Sequence, residues 1–241
     1  MRSTGTKQAM NGNRTGIQTS PELAEELIEG ASNAVPSSEG GPEDIAEYRG
    51  EYISEGFPIG SMPTMPASEE AEATEETAGM AVFLDKLSER LAFERTGTRL
   101  YEAFLNKCEM LGESSPGPTL EEIQHIGSEE LEHFLLLNKT IKELGGDPTV
   151  ESPSADIAGV ASQGIMQVLT DPRSSIAQCL QALLTAELTD NDGWRLLIQL
   201  ADNLGFEELT TEFESALRDE EEHLQNVRSW LMECVFDSAQ V

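Results

Sequence analysis

The sequence predicts an all-α fold: a four-helix bundle with one long crossover between helices two and three, preceded by an acidic, low-complexity N-terminal arm. Three observations carry that prediction. From Met80 onward, apolar residues recur at alternating steps of three and four, the spacing that lines one face of a helix. The pattern falls into four runs, separated by a short loop, a long stretch from Gly145 to Pro172 and a tight turn at Gly205. Before residue 79 the pattern is missing and large apolar side chains are few.

Residues 1–78 hold 15 acidic and 4 basic residues, and residues 79–241 hold 30 and 11, so the formal charge of -30 divides as -11 and -19. The first part cannot bury a core and is expected to be a flexible arm by itself. One short helix is expected there at Glu22–Ala31, with Ser20 and Pro21 in N-cap and first-turn positions. Pro36–Pro42 reads as turns, and Glu69–Glu76 as a small acidic tract. Residues 79–241 are the bundle.

The first long helix runs along Met80, Leu84, Leu87, Leu91, Glu94, Thr98, Tyr101, Leu105 and Cys108. Glu94 stands where a plain bundle would place Leu. The second helix opens at Thr119, with Glu122 closing a capping box, and follows Leu120, Ile123, Gly127, Glu130, Phe134, Leu137, Ile141 and Leu144, again interrupted by a Glu. A shorter helix is expected near Ala155–Leu169 in the crossover. The third long helix follows Asp171-Pro172, with Glu187, Asp190 and Trp194 among its inward residues, and stops at Gly205. The fourth carries both Glu220 and His223 inward; on the second, His133 flanks the seam. Short loops make two antiparallel hairpins, and a connection long enough to span the bundle joins them.

So acidic a chain is a poor partner for nucleic acid or an anionic membrane, which need clustered Lys and Arg, and it suits attraction of cations. Cys108, Cys179 and Cys234 are far apart with no Cys-x-x-Cys, which argues against a disulfide framework, a zinc ribbon or a rubredoxin-type iron site; buried thiols are expected. No signal-peptide core and no membrane-length apolar stretch is present, so a cytoplasmic location is expected.

The chemistry lies in Glu130-x-x-His133 and Glu220-x-x-His223, each preceded on an earlier helix by a lone Glu, Glu94 and Glu187. Four carboxylates and two imidazoles on four inward faces would repel one another if buried alone. Two divalent cations cancel the charge of four glutamates. Glutamate can bridge two ions, and each Glu-x-x-His is expected to supply a terminal carboxylate and a nitrogen. Oxygen and nitrogen donors without thiolate suit iron or manganese. Asp190 is an extra ligand, a partner fixing an imidazole, or a core hydrogen bonder. Tyr101 and Trp194, each seven residues past a lone Glu, are packing residues or stand near the metals as electron donors or a lid. His125 is expected on the surface.

In this order Glu94, Glu130-x-x-His133, Glu187 and Glu220-x-x-His223 resemble the ferritin-like di-iron carboxylate superfamily, and within it rubrerythrin-type and stress-induced YciE-type ferritin-like proteins. The resemblance covers about residues 80–235. It implies a ferritin-like four-helix bundle with two iron ions at those six residues, or two manganese ions. Asp190 and Tyr101 match the family's second acid on helix three and its tyrosine on helix one, with Asp where Glu is usual; they are the candidate catalytic residues. The absence of rubredoxin-like Cys pairs puts a self-contained electron relay in doubt. The implied function is binding of Fe(II) and its oxidation by O2 or H2O2, protective under oxidative or iron stress, by a homo-oligomer that is at least a dimer. The rivals are dimanganese peroxide disproportionation, a non-catalytic iron-storage or assembly subunit, and a metal-free scaffold.

Overall fold

The computed structural model describes residues 21–35, 41–57, 59–61, 75–112 and 116–240. Ser20, most of the Pro36–Pro42 segment and most of the Glu69–Glu76 tract lie outside the described residues. Two compact units divide between Phe57 and Pro58. In the first, α1 spans Pro21–Asn33, the helix expected at Glu22–Ala31, and α2 spans Pro42–Ser54. The sequence reading did not anticipate α2. Its signal was Gly41-Pro42-Glu43-Asp44, with Pro at the helix start and acids in the first turn, and the Asp44 carboxylate accepts from the Gly41 N–H. Neither helix has a buried residue.

The second unit holds α3 (Glu75–Leu111), α4 (Leu120–Glu143), α5 (Pro153–Thr170), α6 (Ile176–Asn203) and α7 (Glu207–Ala239). The four expected long helices are α3, α4, α6 and α7. The α3 helix starts before its apolar seam, at Glu75, and α7 outlasts its own, to Ala239. Thr119 and Glu122 form the expected capping box. Ser175 and Gln178 form a second that fixes the start of α6, and Gly205 takes the positive φ of +79° that ends it. The crossover helix α5 is opened by the Ser152 cap and Pro153, and it lies against α3 and α6.

Packing follows from the apolar faces. The α3/α4 and α6/α7 hairpins pair closely, α3 also packs on α6, and α4 meets α7. The core forms two clusters. One gathers Phe104, Ile123, Leu180 and Val227 with the three cysteines; the other gathers Leu87, Leu137, Trp194 and Phe213. Each cluster takes the C-terminal half of one helix and the N-terminal half of its hairpin partner, as antiparallel pairs require. Both α4 and α6 start at the end of the first cluster, so the connection between them must run the bundle's length. The candidate ligands fall between the two clusters.

Candidate metal centre

All six expected ligands are buried, none more than 5% exposed: Glu94 on α3, Glu130 and His133 on α4, Glu187 on α6, Glu220 and His223 on α7. His133 Nδ1 lies 3.8 Å from Glu94 Oε2, so the first hairpin brings its two half-sites to one level.

Donor atoms converge in three overlapping groups, each within 4.8 Å: Glu130, Glu187, Glu220 and His223; Glu94, His133 and Glu220; Glu94, Glu130, Asp190 and Glu220. Glu220 is common to all three. The expectation that each Glu-x-x-His supplies one terminal pair does not anticipate this sharing. Three residues along a helix turn the side chain by about 60° from its starting direction. Glu130 and Glu220 therefore aim at the middle while their histidines lie to the side. His133 groups with Glu94 and Glu220, and His223 with Glu130, Glu187 and Glu220.

Both histidines turn Nδ1 inward and Nε2 outward. His133 Nδ1 is 2.7 Å from Glu220 Oε1, and its Nε2 is 3.5 Å from Asp219 Oδ2. His223 Nδ1 is 3.3 Å from Glu220 Oε2, and its Nε2 is 2.9 Å from Glu129 Oε2. A proton on Nε2, donated to Glu129 by His223 and facing Asp219 in His133, leaves Nδ1 to face a cation and orients the ring. The arrangement is reciprocal: the acid before Glu130 steadies the histidine of α7, and the acid before Glu220 steadies that of α4. Sequence reasoning missed Glu129 and Asp219. Their signal was an acid directly preceding each Glu-x-x-His.

Other polar groups complete the layer. The Tyr101 hydroxyl donates to Glu187 Oε1. Asn191 Nδ2 donates to the backbone carbonyls of Glu187 and Glu220 at 3.0 and 2.9 Å, tying α6 to α7 at this level. Trp194 packs edge-on against His133 with ring centres 5.5 Å apart. Asp190 faces Arg90 and the carboxylates; the outer histidine nitrogens go to Glu129 and Asp219 instead. His125 lies on the surface as expected, its side chain 72% exposed.

Two glycines make the room. A Cβ at Gly97 would lie 1.9 Å from Glu130 Oε2, and one at Gly193 would lie 1.9 Å from Arg90 Nη1. Glycine inside a helix costs about 1 kcal/mol relative to alanine, and here each vacated Cβ position receives a charged group.

Without a cation the layer is electrostatically poor. Burial and then neighbouring acids push Glu187 up to about 8, and burial carries Asp190 to about 7 although Arg90 opposes it. Glu94 and Glu130 are driven well above the usual range by burial and then by adjacent carboxylates. Glu220 alone goes the other way: burial would raise it, but His133 and His223 together outweigh that and hold it at about 2. Burial would lower His223, yet hydrogen bonds to Glu129 and Glu220 push it to about 10.

The donors fit metal binding. Glu94 Oε1 and Oε2, Glu130 Oε2 and Glu187 Oε2 are all buried without a hydrogen-bond partner, while His133 Nδ1 and Glu220 Oε1 face each other at 2.7 Å. Unpaired acceptors facing one spot are expensive, and divalent cations satisfy them together. Carboxylate oxygen with imidazole nitrogen is the donor set of iron and manganese. A family model, the ferritin-like domain, matches residues 84–235. The chain belongs to the ferritin-like family. That match begins inside α3, ends inside α7 and includes every residue of the polar layer. No curated protein and no solved structure gave a significant match. The ferritin-like bundle accounts for the crossover and for a buried acid and histidine cluster able to bind metal.

Proposed function

We propose that this ferritin-like protein binds Fe(II) at Glu94, Glu130, His133, Glu187, Glu220 and His223 and oxidises it with H2O2 or O2, limiting iron-driven oxidative damage. The observation that carries the reading is the set of orphaned carboxylate oxygens, converging with two imidazoles, between two apolar clusters. Iron supplies the one-electron chemistry when bound.

The chain's own residues supply the rest. Glu220, shared by all three donor groups, would contribute to holding both ions, with Glu94 and Glu187 as further carboxylate ligands. Glu129 and Asp219 hold the imidazoles by their outer nitrogens. Tyr101 presents a hydroxyl proton at Glu187 Oε1, beside the apolar cluster that holds Phe104 and Leu183. Each H2O2 takes one electron from each of two Fe(II) and, with two protons, leaves as two waters. The protein works as a homo-oligomer in this reading.

The test is metal analysis of protein purified without chelators, then anaerobic Fe(II) loading and exposure to H2O2. Two Fe(II) oxidised per peroxide, with the optical change lost in Glu94→Ala, is the expected result. Oxygen release from a manganese-loaded protein points to the disproportionation rival. Less than about one ion per chain removes the metal reading altogether.

A further inference from the structure

Arg90 has no part in the sequence expectation, yet it is 4% exposed and stands in the same layer as the carboxylates. Its Nη1 lies 2.9 Å from Asp190 Oδ1 and donates to the Asp190 carbonyl at 3.1 Å. Its Nε is 3.5 Å from Glu94 Oε1. The guanidinium lies over the Phe93 ring, 4.1 Å from its centre, in the space left by Gly193. A buried arginine is costly unless paired. This one sits where cations are to bind and would repel them.

The charges of the layer resolve that conflict. Four glutamates match two divalent ions, and Asp190 is a fifth carboxylate with no ion left to neutralise it. Arg90 supplies the missing positive charge, permanently, because guanidinium does not lose its proton in a protein.

We infer that Arg90 and Asp190 form a built-in ion pair that sets the charge of the centre at the value two divalent ions neutralise, with Arg90 a positioning residue that holds Asp190 as its counterion. The inference rests on the metal-binding reading above. Asp190 also lies within reach of Glu94, Glu130 and Glu220, so the rival role is direct ligation. The two roles differ in what the pair does when both members are removed. A unit charge one carboxylate's width from a divalent ion changes its affinity roughly tenfold even under water's screening.

Mn(II) titration of the full chain under anaerobic, chelator-free conditions, with melting curves of the metal-free protein, tests this without any activity measurement. Arg90→Met loses the repulsion. It is expected to bind Mn(II) about tenfold more tightly or better, while its metal-free form melts lower. A residue that only packed would weaken binding when removed. Arg90→Lys, which keeps the charge, is expected to restore wild-type affinity within about threefold. Asp190→Asn leaves Arg90 uncompensated and binds roughly tenfold more weakly. Arg90→Met with Asp190→Asn returns the net charge to that of wild type and is expected to return the affinity as well. If the double variant stays as weak as Asp190→Asn, Asp190 is a ligand and the ion-pair inference falls. If Arg90→Met binds no more tightly than wild type, it falls too. Failure of the wild-type protein to bind Mn(II) or Fe(II) instead brings down the metal reading on which it rests.

Discussion

Gly97→Ala offers a sharp discrimination between a metal centre and an ordinary polar core. In an exposed helix interior the change would stabilise by about 1 kcal/mol. Here the new Cβ would meet Glu130 Oε2 at 1.9 Å and Cδ at 2.7 Å. Relaxing to an ordinary carbon–oxygen contact moves the carboxylate by roughly 1.4 Å, several times the ±0.2 Å or so that a metal bond tolerates. Glu130 is 1% exposed and has nowhere nearby to go. The expected consequence is loss of at least one ion, or affinity weaker by about 100-fold, in a folded protein. With metal at 100 times the wild-type Kd, binding stabilises wild type by about 2.7 kcal/mol and the variant by about 0.4, so the metal-induced rise in Tm shrinks from roughly 8 °C to 1 °C. Anaerobic Mn(II) calorimetry and paired melting curves measure both. Gly127→Ala is the control, since its Cβ would only touch Tyr101 Cβ at 3.4 Å, and it should keep two ions. Full wild-type stoichiometry and affinity in folded Gly97→Ala would refute the placement of Glu130 at the ion site.

Two further expectations follow from the outer carboxylates and from the titration of the layer. Glu129→Gln removes the 2.9 Å partner of His223 and should weaken metal affinity by about 10- to 100-fold; Asp219→Asn, at 3.5 Å and more exposed, should do less. Equal affinities in wild type and Glu129→Gln would show that the acid does not steady the imidazole. The pH expectation concerns the metal-free protein. Glu187 at about 8 and Asp190 at about 7 stand above their usual 4.5 and 3.8, so the fold binds extra protons and loses stability as pH rises from about 5 to 8. His223 at about 10 adds to that loss above its usual 6.5, whereas Glu220 at about 2 loses its contribution only below 4.5. The metal-free Tm should therefore peak near pH 5 and fall by about 5 °C or more by pH 8. A flat or rising Tm over that interval contradicts the picture of protonated carboxylates.

Much of the site was legible because a helix of fixed pitch turns residue spacing into direction. Glu94, Glu130, Glu187 and Glu220 interrupt apolar seams, so their burial follows from the burial of the Leu and Phe around them. Arg90, Glu129 and Asp219 escaped notice for the opposite reason. Each stands off the seam, where a charge reads as solvated, and its partner in the layer, Asp190, His223 or His133, comes from another helix. The α2 helix escaped because it buries nothing, leaving a start signal and no periodicity to follow.

The sequence by itself determined the number of long helices, the crossover and the identity of the inward acids, since each depends on local pitch and on which faces water rejects. Tertiary structure decided which acid is shared and which histidine answers to which outer carboxylate. It also brought Gly97 and Gly193 opposite Glu130 and Arg90. Those relations lie between helices, and the relative rotation of packed helices is set by the whole interface rather than by any one strand of sequence.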